Sequence, residues 1–353
     1  MVCTRRFTEC NSLKARVTED TKHNVSRAHD NWLQETWYGK SRWYWVMLPL
    51  TAIFAAAVVV RRWLYRRNIL SVHSVGAPVI VVGNINVGGT GKTPIALWLA
   101  ASLKQKGYSP AIVSRGYGGD VGPVPVEVTA GSDPVVVGDE ALLLAAQSGC
   151  RVVVHPDRVA AAREAVGLGA NIIVSDDGMQ HYRLGRDVEL AVVDAERGFG
   201  NGVLLPAGPL REPVSRLSTI DAVLLNAGNS EDEVIVPGQS GALRFHLRMA
   251  DARRLDNDEV RHLDDFAGQT VHAVAGIGHP ERFFSMLEAR DIQVIRHPLP
   301  DHADIVPDHV RFDDEFEVLM TQKDAVKCRG FDSARLWYCL LYTSDAADDN
   351  RVV

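Results

Sequence analysis

The sequence predicts an α/β protein: a parallel sheet with helices on both faces, a second, smaller α/β unit, and an N-terminal membrane helix. Three observations carry this. Short apolar β-rich runs alternate with helical patterns, namely VIVVG from Val79, AIVSRG from Ala111, VVVH from Val152, IIVSDD from Ile172, ELAVVD from Glu189 and AVLLN from Ala222; that rhythm makes a parallel sheet with crossover helices. These runs are apolar on both faces, as strands covered by helices on both sides are, so ligands should gather at their carboxyl ends. A second series, VHAVAGIG from Val271, the helical PERFFSMLEARD from Pro280, QVIRHPL from Gln293 and VLMTQKDAVK from Val318, repeats the alternation on a smaller scale. We therefore expect a nucleotide-binding core over 75–225 and a smaller α/β domain over 242–338, divided in the polar, glycine-containing stretch from about Asn226 to Gly241.

Residues 1–30 are polar, mixed in charge and without periodicity, and read as a disordered or non-native extension. Residues 31–67 read as a membrane anchor with a basic flank. Trp43 to Val60 is an uncharged run of eighteen residues followed at once by RRWLYRR, a marginal spanning length. Trp43, Tyr44 and Trp45 would sit at an interface, and the arginines after the run outnumber Lys40 and Arg42 before it, which places the rest of the chain in the cytoplasm. A helix lying in the interface, or one buried in a core, fits the same composition. The run starts too far in, and lacks the small-residue cleavage pattern, for a secretory signal. Either membrane reading implies a substrate that is a lipid or rests on one.

The segment PVIVVGNINVGGTGKTP, residues 78–94, leads a strand into a glycine-rich turn and then a helix. Gly88, Gly89, Thr90 and Gly91 leave backbone N–H groups to point at phosphate oxygens, Lys92 supplies a mobile cation, and the Thr93 hydroxyl suits Mg²⁺. This is a P-loop NTPase-like arrangement, and it calls for ATP or GTP with Mg²⁺. The general pattern has glycine five residues before Gly91, where this chain has Asn86, with Gly83 nearby to keep the loop free.

Further polar groups follow the other strands. Asp176 and Asp177 close a strand where such folds place the carboxylate that orients Mg²⁺, although adjacent acids there also cap helices. His181 either contacts a phosphate or satisfies a local hydrogen bond. Asp139 and Glu140 open a helical run: they are either first-turn acids favoured by the helix dipole, or a proton acceptor and a metal ligand. Arg115 in SRGYGG, Arg158 in HPDR and Arg211 in LPAGPLREP either face a phosphate site or are solvated surface. Asp301 and His302 follow a strand of the second unit.

A formal net charge of −6 argues against a general nucleic-acid binder. The five cysteines, Cys3, Cys10, Cys150, Cys328 and Cys339, show no metal-like spacing and suit a reducing compartment. The run from Cys339 to Asp349, CLLYTSDAADD, departs from the preceding pattern and reads as a translated transposase-type sequencing adaptor. The expectation is that 339–353 is a non-native tail, which the DNA at that junction decides.

Taken together, VGNINVGGTGKTP, SRGYGG, GDEALLLA, HPDR, SDDGMQHYRLGRDVELAVVD, FGNGVLLPAGPLREP, AGIGHPERFF, PDH and MTQKDAVKC resemble the tetraacyldisaccharide 4'-kinase family of lipid A biosynthesis, from about Trp32 to Tyr338. SDDGMQHYRLGRD and LLPAGPLRE are specific to that family, which also places a small polar residue at the position of Asn86. The resemblance implies transfer of the γ-phosphoryl group of ATP to the 4'-hydroxyl of a tetraacylated glucosamine disaccharide 1-phosphate, forming lipid IV-A at the cytoplasmic face of the inner membrane. It implies that Asp139 is the catalytic aspartate, that His302 pairs with it, and that Glu140 and Asp176 lie near the metal with Thr93. Arg158 and His181 would steady the transferring group. Another membrane-associated P-loop ATPase coupled to a protein partner, or a nucleotide-binding module without turnover, are the alternatives.

Overall fold

The computed structural model describes residues 35–39, 44–129, 131–228, 241–257, 259–301, 303–328, 330–331 and 334–345. The expected extension over 1–30 lies outside these residues, as does His302. The uncharged run folds as helix α1 (Tyr44–Arg66), which continues past Val60 through the basic flank. The core follows as β1 (Val79–Gly83), α2 (Lys92–Gln105), β2 (Pro110–Ser114), β3 (Val126–Val128), α3 (Pro134–Val137), α4 (Asp139–Ser148) and β4 (Arg151–Val154). It is completed by α5 (Arg158–Gly167), β5 (Ile172–Asp176), β6 (Val188–Asp194) and β7 (Ala222–Asn226). The second unit contains β8 (Leu243–Arg254), β9 (Val260–His262), β10 (Thr270–Ala275), α6 (Pro280–Glu288), β11 (Gln293–Pro298), β12 (Glu317–Thr321), α7 (Gln322–Ala325) and β13 (Leu336–Asp345).

The strands form one sheet in the order β11-β10-β12-β13-β8-β7-β6-β1-β5-β2-β4-β3, with β9 alongside β8. All six apolar runs of the core are parallel strands, and β1 lies in the middle between β5 and β6. Successive residues of β1 enter opposite cores: Val81 packs with Val113, Ile173 and Leu210, and Val82 with Ile112, Leu142 and Val192. Burial of both faces is what made these runs apolar on both. In the second unit, Ala273 joins Phe266, Phe284 and Trp337 on one face, while Val274 joins Val318, Met320 and Leu336 on the other.

The two units meet edge to edge through β8. Its first residues pair in parallel with β7, and the remainder pairs antiparallel with β13. Residues 339–345, expected to be non-native, continue β13: Cys339 still pairs with β12, residues 341–345 pair with β8 alone, and the register of the β8 ladder shifts between Cys339 and Leu341, at the expected junction.

Helix α1 lies against the core. The buried Thr51 hydroxyl donates to the Leu204 carbonyl at 3.4 Å and accepts from the Ala207 N–H at 3.1 Å. Arg61 donates to the Gln180 carbonyl at 3.0 Å, and the Tyr65 and Tyr182 rings sit 5.6 Å apart. At about 100° per residue these three positions share a sector of roughly 80°. Away from the contacts, Trp45, Val46, Leu50, Ile53, Val59, Val60 and Trp63 are exposed.

Candidate active site

The glycine-rich turn leaves β1 and enters α2 with Gly91 at φ 93° as the residue before the helix, a left-handed conformation that suits glycine. A side chain at Gly91 would also press on Asn226 and Leu247. The loop is held from within and from outside. The Asn84 side-chain amide donates to the Gly88 carbonyl and the Thr90 hydroxyl, each at 3.3 Å, and the Asn226 amide, at the end of β7, donates to the Thr90 carbonyl at 3.2 Å. Asn86 is buried and donates to the Gly198 carbonyl at 2.8 Å, so the departure from glycine ties the loop's entry to the segment after β6. Lys92 and Thr93 open α2; the Lys92 ammonium lies 3.5 Å from the Gly88 carbonyl and 3.7 Å from Asp177. Gly88, Gly89 and Thr90 complete the turn between these anchors.

Asp176 ends β5 in register with Val82 of β1. It is 2 % exposed, and its Oδ1 has no hydrogen-bond partner. Burial pushes its carboxyl up to about 7, with Glu140 and Asp177 adding to the shift. Asp177 is half-buried at φ 48°; burial alone would raise it, but Lys92 and Arg211, the latter at 3.0 Å, outweigh that and hold it below the usual carboxylate range. An orphaned buried carboxylate oxygen beside a second acid is the chemistry a hard divalent cation satisfies, so these residues fit Mg²⁺. Among the described residues no three His, Cys, Asp or Glu side chains gather as a metal cage. A Mg²⁺ that keeps waters and triphosphate oxygens needs only one or two carboxylates.

Asp139 and Glu140 form the first turn of α4, as expected. Gly138, at φ 84°, precedes them because a side chain there would collide with the Tyr117 carbonyl, which holds the SRGYGG loop against the start of α4. Glu140 lies close enough to raise Asp176, so the two acidic pairs share one site. Two lysines that the sequence reading left without a role reach the Asp139 pair from the second unit: Lys327 lies 3.0 Å from Asp139, and Lys323 lies 3.5 Å from Glu140 and 3.0 Å from Asp301. Their sequence signals are the four-residue spacing just past a strand end and their place in MTQKDAVKC, one of the strings that carry the resemblance.

Arg158 is buried in the first turn of α5 and donates to the Asp176 carbonyl at 3.1 Å and the His155 carbonyl at 3.3 Å; burial lowers it to about 10, so it stays charged at neutral pH. Arg211 is engaged by Asp177, and Arg115 is exposed at the mouth of the SRGYGG loop. From the second unit, Arg282 of α6 donates to Asp194 at 3.2 Å and Asn226 at 2.8 Å. Asn226 and Arg282 are thus further polar groups beside the turn that sequence reasoning missed; Asn226 is a lone polar residue ending an apolar strand, and Arg282 follows Glu281 in the first turn of a helix.

Burial pulls the His181 imidazole down to about 4, helped by Arg158, Arg115 and Arg61, so it is neutral at pH 7. The unfolded imidazole titrates near 6.5, so between about pH 6.5 and 4 the unfolded chain binds the extra proton and stability falls as pH falls. Over about pH 7 to 5 this group lowers Tm, so the change of Tm on acidification should be less unfavourable in His181→Gln than in the parent. His279 and His297, also lowered first by burial, act in the same direction, and Asp176, raised to about 7, acts in the opposite one. An unchanged pH dependence of Tm in the variant would contradict this.

Comparison with known proteins gives a consistent result. The family model for tetraacyldisaccharide-1-P 4'-kinase (LpxK) matches residues 43–351. The chain is similar to the tetraacyldisaccharide 4'-kinases of Nitrosococcus oceani, 46 % identical over 86 % of this chain and 87 % of the relative, and of Alkalilimnicola ehrlichii, 49 % identical over 82 % and 85 %. Among solved structures it is similar to an "apo" form of LpxK from Aquifex aeolicus in complex with ATP, with a TM-score of 0.72 and 27 % identity over 85 % of this chain and 94 % of that one.

Proposed function

This chain belongs to the tetraacyldisaccharide-1-P 4'-kinase family, and we propose that its reaction runs between the glycine-rich turn and Asp139, at the surface of a membrane. It transfers the γ-phosphoryl group of ATP to the 4'-hydroxyl of a tetraacyldisaccharide 1-phosphate, forming lipid IV-A. The observation that carries the site reading is the convergence of Lys92, the Asp176–Asp177 pair and the Asp139–Glu140 turn at the carboxyl ends of the central strands.

Lys92 leaves Asp177 for the outer phosphates when ATP enters, and the backbone amides of 88–92 hold the triphosphate in line. Asp139 takes the proton from the 4'-hydroxyl as the sugar oxygen bonds to the γ-phosphorus and the bond to the bridging oxygen breaks, releasing ADP. Thr93, Asp176 and Glu140 would hold Mg²⁺, which would supply neutralisation of the charge on the transferring phosphoryl group. Arg158 braces the Asp176 carbonyl, and neutral His181 stands beside it as a hydrogen-bonding group for the transferring phosphoryl. The role of His302 as partner of Asp139 is carried by the family resemblance. Incubating the protein with γ-labelled ATP, Mg²⁺ and the disaccharide acceptor tests the reading: label must appear in a more acidic lipid, and label found only in inorganic phosphate would favour the ATPase alternative.

Helix α1 is best read as lying in the interface with the core on the cytoplasmic side. The helix is long and apolar enough to cross a membrane, but contacts from Thr51 to Tyr65 hold one side of it to the core along about 20 Å of its length and leave the opposite apolar face for lipid, which favours the interfacial placement. The double substitution Ile53→Asp with Val60→Asp should shift the protein from the vesicle pellet to the supernatant by about tenfold or more, since each charge costs a few kcal/mol in the apolar layer. Unchanged sedimentation would remove α1 from membrane binding.

A further inference from the structure

Two lysines on the turn after β12 face the acids at the start of α4. The Lys327 side chain is 8 % exposed and the Asp139 side chain 18 %, and they meet at 3.0 Å. The same ammonium donates to the Ala303 carbonyl at 2.8 Å. One helical turn earlier, Lys323 bridges Glu140 and Asp301; burial would lower its pKa, but Asp301 and Glu140 overcome that and raise it. Each lysine therefore ties one acid of the Asp139–Glu140 pair to the segment just after β11.

The turn bearing them has a fixed position. Asp324, between the lysines, is fully buried and accepts from the Gly276 N–H at 3.0 Å and from the Thr321 hydroxyl at 2.6 Å, which locks α7 to the end of β10. Val326, adjoining Lys327, packs into the core cluster that contains Ala141 and Leu142 of α4. Lys327 is thus held from both sides: its backbone belongs to the second unit, and its neighbouring side chain is seated in the first. An exposed pair contributes little, but a largely buried carboxylate deprived of its cation is left uncompensated.

We infer that Lys327 is a positioning residue for Asp139, clamping one carboxylate oxygen so that the side chain stays aimed at the acceptor hydroxyl, and making that geometry depend on the second unit being docked on α4. This rests on the reading of Asp139 as the proton acceptor. Lys327 lies outside the glycine-rich turn, so its loss should reach turnover and not the grip on ATP.

The test is steady-state kinetics of the full chain in mixed micelles with MgATP and the disaccharide acceptor, on Lys327→Met, Lys327→Arg, Asp139→Ala and the Asp139→Ala/Lys327→Met double variant. Lys327→Met should lower kcat about 30-fold or more with KM for ATP within about threefold, and Lys327→Arg should recover much of the loss. The double variant should be no slower than Asp139→Ala within about twofold, because residues acting as a unit are not additive. Should Lys327→Met fail to fold, Lys327→Gln, which is polar but uncharged and one atom too short to clamp Asp139, takes its place with the same expectations. A kcat within about threefold of the parent, or losses that multiply in the double variant, would overturn the positioning role. If Asp139→Ala leaves turnover intact, the proton-acceptor reading falls and this inference with it; if Asp139→Ala abolishes turnover while Lys327→Met does not, only the inference falls.

Discussion

Asp139→Ala should lower kcat by about a thousandfold while leaving KM for ATP within a few fold, because general-base catalysis contributes about 10² to 10⁴ and an ordered acceptor adds to it. The nucleotide's contacts are expected from Lys92, Thr93 and the backbone of 88–92, all on the loop after β1. Asp139 belongs to a different element and is bound instead by Lys327. Asp139→Ala also removes the anion facing a nearly buried ammonium, so its Tm should fall. Asp139→Asn separates the two effects. The amide keeps the shape and a hydrogen bond to Lys327 but cannot accept a proton at neutral pH, so its turnover should fall as far while Tm falls less. Acceptor-dependent release of ADP, measured with binding of a fluorescent ATP analogue, checks both variants, and turnover within about tenfold of the parent in Asp139→Asn would place the proton acceptor elsewhere.

What could be read from the sequence follows from which signals are local. The six core strands were legible because a strand covered on both faces is apolar on both, with its polar residues mostly at its ends, as β1 shows by sending Val81 and Val82 into different cores. The phosphate loop and the acids at strand ends were legible because their chemistry lies within a few residues. β8 was not: LRFHLRMADARR alternates poorly and is rich in arginine, and it is a strand because β7, β13 and β9 pair with it along its length. The Asp139–Glu140 turn could be placed on a helix, but its electrostatic setting could not be read. Lys323, Lys327 and Arg282 reach the site from the second unit, and only folding brings them there. Asn86, a defect by the general loop pattern, is explained by a buried hydrogen bond to Gly198 that no local rule foresees.

Asp176→Asn should abolish most turnover and at the same time stabilise the ligand-free protein. In the parent, the carboxylate is buried beside Glu140 and Asp177 with one oxygen unpartnered, and its charge is resisted strongly enough to raise its pKa to about 7. The linkage sign follows from that direction. Between the ordinary carboxylate value near 4 and about 7 the folded state holds a proton that the unfolded chain has released, so the contribution of this group is favourable at low pH and is lost as pH rises. An amide carries no charge at any pH, so its advantage should be small near pH 5 and grow toward pH 8, where relief of an uncompensated buried charge amounts to about 1–3 kcal/mol and a Tm gain of a few degrees. MgATP should reverse the order: the parent gains a cation that satisfies the orphaned oxygen, whereas the variant keeps a weak neutral ligand and loses about 10² to 10³ in kcat. Thermal unfolding at pH 5 and pH 8, with and without MgATP, reads all four corners. A variant that melts below the parent at pH 8 without ligand would show that the Asp176 charge is already compensated by Lys92 and Arg158, and that no cation is needed at the end of β5.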